Sequence, residues 1–242
     1  MSIDNVTTPE TATEILPPEP QADSPQPPLI YYWRNLADAP FTETVFINAA
    51  HNPLIAHVDL THVTVVLPSG GEEQARAWLD MGAERVLFAD AAVQDTTLIR
   101  RMVEALGADK VGVWLPVKRM GVSWVLDKTS NADFSVMTPS IGKPSWEVLL
   151  SSGKRTGIDV DWWSRQMLAQ GATCILISVD YTDWHDQNIA AELVEKFSNH
   201  LWLSPLYQDG VKWGAEAWQT YAKVQQMVIP PLPREEDHEE HV

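Results

Sequence analysis

Cysteine is nearly absent from this sequence: Cys174 stands alone among 242 residues. No disulfide can form within the chain, and a reducing cytoplasm is the compartment this composition implies. Cys174 falls in the middle of an apolar run and reads as a small buried hydrophobe. Positive charge is scarce as well. Against 33 Asp and Glu stand 17 Lys and Arg, a net charge of −16. A general binder of nucleic-acid backbone, which needs clustered cations, is thereby excluded. A small anion is not, because the N–H groups at a helix N-terminus bind phosphate without side-chain charge. No apolar run reaches the roughly 18–20 residues that span a bilayer, so no membrane partner is expected. The first 28 residues hold neither Lys nor Arg. With no basic start and no apolar centre they do not read as a secretory signal.

What is present divides the chain in three. Residues 1–28, dominated by Pro, Thr, Glu and Gln, read as a disordered acidic arm, and residues 231–242 as a disordered acidic tail. Residues 29–230 read as the folded domain. No cofactor motif is visible. His185 with Asp183 and Asp186 comes nearest to a metal cluster, but one His with flexible carboxylates is a poor ligand set. Neither metal nor cofactor is expected.

Within the domain, strands and helices alternate. Leu29–Trp33 and Thr44–Ile47 are short apolar runs. Leu54–Leu60 and Val63–Leu67 look like strands. After the turn Pro68-Ser69-Gly70-Gly71, the spacing of Ala75, Trp78 and Leu79 predicts a helix over 72–81. Strands follow at Arg85–Ala89 and Lys110–Val117, with a helix from Asp95 to Leu106 between them, stopped by Gly107. Residues 119–144 read as a long irregular connection. Then comes the fullest structural sentence of the chain: a strand at Trp146–Leu150, a turn, a helix opening at Thr156–Asp159, and a buried strand at Thr173–Val179 that ends at Asp180. Trp162 and Trp163 cannot both face one side of that helix, so one packs inward and the other outward. A helix at Ile189–Phe197, a strand at Leu201–Leu203 and a last helix at Ala215–Val228 complete the pattern. Such alternation means a parallel sheet flanked by helices.

Residues 71–89 also parallel residues 160–178. In both, a helix carrying Trp reaches a Gly-Ala pair and then an apolar strand, with Gly82 and Gly171 at an offset of 89 (171 − 82). That spacing points to a (β/α)8 barrel built from two halves.

Together, Gly70-Gly71, Met81–Val86, Ala91–Val93, Ser151–Ile158 and Gly171–Asp180 resemble the histidine-biosynthesis barrels. The nearest likeness is to the cyclase subunit of imidazole glycerol phosphate synthase, with its isomerase sister second. The resemblance implies a TIM-type barrel of half-barrel repeats. It also implies a phosphorylated ribose ligand, a glutaminase partner, two catalytic aspartates at the ends of strands one and five, and two phosphate sites built from loops and helix N-termini.

The chain departs from that pattern. The strand-five aspartate falls on Pro116, whose side chain cannot transfer a proton. Ala89 and Asp90 replace a polar phosphate-holding pair, Asp180–Trp184 replaces an Asp-Gly turn, and Ser204-Pro205-Leu206 replaces a Gly-Gly turn. No eighth-strand motif is visible after Ala215. About 40 residues precede Gly70 where roughly 80 would suit three strands and two helices of usual size. The barrel is therefore expected to be incomplete, or closed by irregular segments or a partner chain. Asp59, ending strand one or strand two, and Asp180 are the catalytic candidates. Gly70, Gly71, Ser178 and Lys118 are the phosphate-binding candidates. Two functions stay open: a non-catalytic binding or assembly subunit with a protein partner or a second copy, and an active cyclase or related sugar-phosphate enzyme.

Overall fold

A computed structural model describes residues 28–230 apart from 56, 122–123, 131–134, 142, 181–182 and 207–214. The expected arm, the acidic tail, and Tyr181 and Thr182 of the Asp180–Trp184 turn lie outside the described residues.

Eight parallel strands close on themselves. They are β1 (Leu29–Trp33), β2 (Val45–Asn48), β3 (Val63–Leu67), β4 (Arg85–Phe88), β5 (Val111–Arg119), β10 (Cys174–Asp180), β11 (Leu201–Leu206) and β12 (Gln226–Ile229). Closure is made by β12 pairing with β1 and by β10 pairing with β5. The barrel is thus complete in its strands, against the expected gap. What the shortened front omits is helices. The β1–β2 connection holds only a 3-10 turn at Leu36–Asp38, and the β2–β3 connection holds no helix among its described residues. Irregular chain does the covering instead. Leu36 and Leu60 are buried, and the buried Asn52 joins the two connections. Its Oδ1 accepts the Leu36 N–H at 2.6 Å and its Nδ2 donates to the Asn48 carbonyl at 2.9 Å.

Helices follow from β3 onward: α1 (Glu72–Asp80), α2 (Asp90–Gln94), α3 (Leu98–Leu106), α4 (Val160–Ala169), α5 (Trp184–Phe197) and α6 (Ala215–Ala222). Strand alternation divides the core into two layers. One set of strand residues faces the helices with Trp78, Met102, Trp163 and Trp218. The other fills the barrel axis, and every strand contributes: Tyr31, Trp33, Phe46, Val66, Leu87, Trp114, Cys174, Leu176, Trp202 and Val228. Branched aliphatics usually dominate such an interior; here five aromatic rings share it. Tyr31 and Phe46 lie 4.9 and 5.4 Å from Trp202, centroid to centroid. Trp163 packs inward while Trp162 stays exposed, as helix geometry requires.

Several local expectations need correction. No strand forms among the described residues of Leu54–Leu60, because β1 and β2 supply the first two. Thr156–Asp159 does not open a helix: it lies in β9 (Arg155–Asp159), antiparallel to β8 (Trp146–Leu149), which is itself antiparallel to β5. Asp159 then caps α4, accepting the Trp162 N–H at 3.0 Å. This hairpin is an appendage on the long fifth strand, not a barrel unit. Among the described residues of 119–144, β6 (Trp124–Ser130) and β7 (Ser135–Ile141) pair as an antiparallel ribbon, where an irregular connection was expected. The helix after Asp95 starts at Leu98. The last helix stops at Ala222, and Lys223 at φ 54° turns the chain into the eighth strand.

The internal recurrence stands, with a different meaning. Its two units deliver the fourth and sixth barrel strands, two places apart, because the β6–β9 excursion lengthens the spacing. Gly82 and Gly171 adopt φ of +100° and +98°, which side chains disfavour. A Cβ on Gly82 would meet open space, whereas one on Gly171 would come 2.9 Å from Val103 Cγ1. Gly82→Ala is therefore expected to cost about 1–2 kcal/mol for left-handed backbone. Gly171→Ala should cost a further ~1–3 kcal/mol for overpacking. Urea unfolding of the two variants side by side checks the order.

Candidate functional site

All eight strands run the same way, so their carboxyl ends share one rim, where (β/α)8 enzymes place their chemistry. Side chains entering that rim come from alternate positions of each strand. On β5 these are Trp114, Pro116 and Lys118; on β10, Ser178 and Asp180; on β11, Ser204; on β1, Trp33. Ser178 stands level with Pro116 on one side and Ser204 on the other.

Ser178, a phosphate-binding candidate, and Ser204 bring hydroxyls to this rim, and both are buried. Each already has a partner. The Trp114 indole N–H donates to Ser178 Oγ at 2.8 Å, and the Trp33 indole N–H donates to Ser204 Oγ at 2.8 Å. Two indoles thus lie across the mouth, with their polar edges turned to the serines and their rings joined to the aromatic interior.

The rim beyond β4 is occupied in a similar way. The β8–β9 turn folds over it, and Asp90 receives the Ser151 N–H at 2.6 Å and the Ser151 hydroxyl at 2.8 Å. A carboxylate of the chain itself takes the donors that could otherwise meet an anion. On the far side of β5, Arg119 forks onto Asp183 at 2.7 and 2.8 Å and reaches the buried Asp186 at 2.6 Å. Trp146 donates to Asp186 at 2.9 Å. Asp183 also caps α5, accepting the His185 N–H at 2.8 Å. The Arg119 hydrogen bonds hold the Asp183 carboxyl well below the usual carboxylate range, helped by the donors of His185. Asp183, His185 and Asp186 are thereby knitted to one another and to Arg119.

The sequence candidates are only partly brought together. Ser178, Asp180 and Lys118 lie on neighbouring strands at the carboxyl rim, Asp180 and Lys118 exposed. Gly70 and Gly71 lie at the same end of the barrel, where Gly71 precedes α1 and that helix opens with Glu72 and Glu73. Two carboxylates in a first helical turn oppose a bound anion. Asp59 lies elsewhere. It ends neither strand one nor strand two but sits just before β3 begins, on the approach to the opposite rim. There it accepts the Thr61 N–H at 3.0 Å and the Thr61 hydroxyl at 2.5 Å. Those bonds, the hydroxyl's first, lower its pKa. Asp59 and Asp180 are therefore not assembled on one site.

Trp33, Trp114, Ser204 and the Asp90–Ser151 clasp are what reading the sequence missed. A signal was available. Tyr31/Trp33 and Gly112/Trp114/Pro116 have the two-residue period of inward strand positions. Aligning that period with Pro116, already placed at the mouth, puts Trp114 directly beneath it.

A family model described as histidine biosynthesis protein matches residues 61–212. The imidazole glycerol phosphate synthase subunit HisF of Dictyoglomus thermophilum is 30% identical over 139 residues, 57% of this chain and 46% of that protein. The same subunit from Dictyoglomus turgidum is 30% identical over 124 residues, 51% of this chain and 41% of that protein. The chain thus spans less than half the length of the curated relatives it matches. The family match runs from just before β3 through β11 and leaves out β1, β2 and β12, the part of the barrel with the thinnest covering. It also takes in the rim strands β4, β5, β10 and β11 just described, and with them the chain belongs to the histidine biosynthesis protein family.

Proposed function

We propose that this chain is a non-catalytic member of the family, serving as a binding or assembly subunit. The observation that carries the reading is the filled mouth, in which Trp33 and Trp114 occupy the hydroxyls of Ser204 and Ser178. Pro116 supports it, because general acid–base catalysis needs a group that exchanges a proton at that position. Asp59, remote from Asp180, supports it too. Both relatives are named as subunits of a synthase, which supports a protein partner or a second copy for this chain as well.

The rival reading is an active cyclase or a related sugar-phosphate enzyme. It rests on Asp180 and Lys118, exposed at the ends of adjacent strands, with Ser178, Gly70 and Gly71 as phosphate ligands. Complementation separates the two. Expressed in a histidine auxotroph that lacks the cyclase, the chain is expected not to restore growth, with an immunoblot to show that it accumulates. Growth that disappears on Asp180→Asn would establish the catalytic reading instead. In vitro, millimolar ribose 5-phosphate or inorganic phosphate is expected to leave the melting temperature unchanged, since only a ligand that binds the native state raises it. Light scattering on the purified chain tests the assembly half: a lone monomer that co-purifies with nothing counts against it.

A further inference from the structure

The outer face of β1 is left uncovered where a (β/α)8 barrel carries helix. Leu29, Ile30 and Tyr32 are 57%, 40% and 39% exposed. Beside them runs a groove of about 560 Å³. Ile30, Tyr32, Pro40 and Phe41 give it apolar surface, and Thr42 and Thr44 add hydroxyls. Arg34, Glu43 and His62 bring one cation, one carboxylate and one imidazole. The Arg34 guanidinium lies 4.9 Å from the Tyr32 ring centre. Among the described residues Arg34 meets no carboxylate and Glu43 no cation. The β1–β2 register explains why they do not meet each other. Tyr32 is level with Val45, so Arg34 lies two residues beyond that level and Glu43 two residues before it. Measured along the strands they are ~13 Å apart, at opposite ends of the groove.

We propose that a second copy of this chain covers the groove, related to the first by a two-fold axis passing near Tyr32. The proposal rests on the assembly half of the reading above and names the face that assembly uses. Two observations select this occupant. The first is the order of the charges. A two-fold axis exchanges the two ends of the groove, so Arg34 of each copy meets Glu43 of the other. One patch thereby supplies both members of two ion pairs, with Tyr32 at the centre between them. Tyr and Arg are among the residue types that such interface centres favour. The second observation is charge balance. A chain of net charge −16 repels its own copy over most of its surface. The groove's lining sets one Arg against one Glu and is neutral when His62 is neutral. The opening of α1, by contrast, presents Glu72 and Glu73 side by side. A basic partner would be drawn to acidic faces of that kind, whereas a second copy needs a balanced one.

Sedimentation velocity on the full chain across the micromolar range tests this. The parent chain is expected to dimerise. Arg34→Glu and Glu43→Arg should each weaken dimerisation at least ~10-fold, because the symmetry repeats every substitution at both ends of the interface. Mixed in equal amounts, the two single variants should dimerise again, since one copy then carries carboxylates at both ends and the other carries cations. The double variant, with the pair reversed, should recover as well. Neither side chain lies in the buried core, so thermal melts followed by circular dichroism should show both single variants folded. A parent chain that stays monomeric would overturn the proposal, and the assembly reading falls with it only where nothing co-purifies. A dimer indifferent to both substitutions would seat the copies on another face, which overturns this one and leaves the assembly reading standing. Single variants that fail to associate when mixed would overturn the two-fold pairing of Arg34 with Glu43.

Discussion

Replacing Arg119 with methionine is expected to destabilise the barrel by ~3–5 kcal/mol, the usual cost of stripping one partner from a buried ion pair. Asp186 is 1% exposed on its side chain, and Arg119 reaches it at 2.6 Å while forking onto Asp183. Methionine keeps much of the stem's bulk and removes the charge that neutralises the buried carboxylate. Asp183→Asn is the contrasting control. Asp183 is 41% exposed, its pair with Arg119 is partly screened, and loss of its charge should cost no more than ~1 kcal/mol. The difference matters because Arg119 ends β5, Asp183 and Asp186 begin α5, and Trp146 belongs to β8. One guanidinium therefore fixes the appended hairpin and the sixth unit of the barrel against the fifth strand. Urea unfolding at neutral pH measures both variants. A loss at Arg119→Met no larger than at Asp183→Asn would show that Asp186 is neutralised by other means.

The same network sets a pH dependence. Arg119 lowers the pKa of Asp183 in the folded chain. A depressed carboxyl contributes stability that is fully present above its unfolded value, near 3.9, and is lost as pH falls through the folded value. Stability of the parent chain should therefore fall on acidification below about pH 4. In Arg119→Met the contribution from Asp183 should shrink, so its unfolding midpoint should change less over the same acid range.

How much of this could be read from the sequence depended on whether the signal was local. The units from β3 to β11 carry their own punctuation: Gly82 and Gly171 stop helices, and apolar runs mark strands. These were legible, and they sufficed for the barrel. The front was not, because β1 and β2 are strands without helices. Leu29–Trp33 has no amphipathic partner to announce a β/α unit, so Leu54–Leu60 looked the better strand. Among its described residues Leu60 is buried and Asp59 makes an Asx turn with Thr61 instead. The hairpin β8–β9 was misread because Thr156–Asp159 lies in a strand whose last residue caps a helix, and composition does not separate the two states. At the mouth, Pro116 could be read as standing where the resemblance implies an aspartate. The indole–serine bonds were not, since each joins strands that become neighbours only when the barrel closes: Trp114 and Ser178 are 64 residues apart, and Trp33 and Ser204 are 171 apart.

Trp114→Ala should open the mouth and cost about 2–3 kcal/mol, less than a large-to-small change at a fully buried aromatic because the ring is only partly buried. Two effects contribute, the lost burial of the ring and the lost bond to Ser178, and a cycle separates them. Trp114→Phe keeps most of the ring and removes the N–H; Ser178→Ala removes the acceptor. Each should cost about 1 kcal/mol, and the pair together less than their sum by ~0.5–1.5 kcal/mol, the worth of one internal hydrogen bond. The Trp114 ring packs on the apolar interior beside Leu176, and apolar cavities accept rings of matching size. Millimolar indole should therefore raise the melting temperature of Trp114→Ala and leave the parent chain unmoved. A parent chain that also gains stability from indole would mean the mouth is open in the native protein. A coupling of zero in the cycle would mean Ser178 is not held by Trp114, and its hydroxyl would be available to a ligand. Either result would return weight to the catalytic reading, because filled space and engaged serines are what the proposal of a non-catalytic subunit rests on.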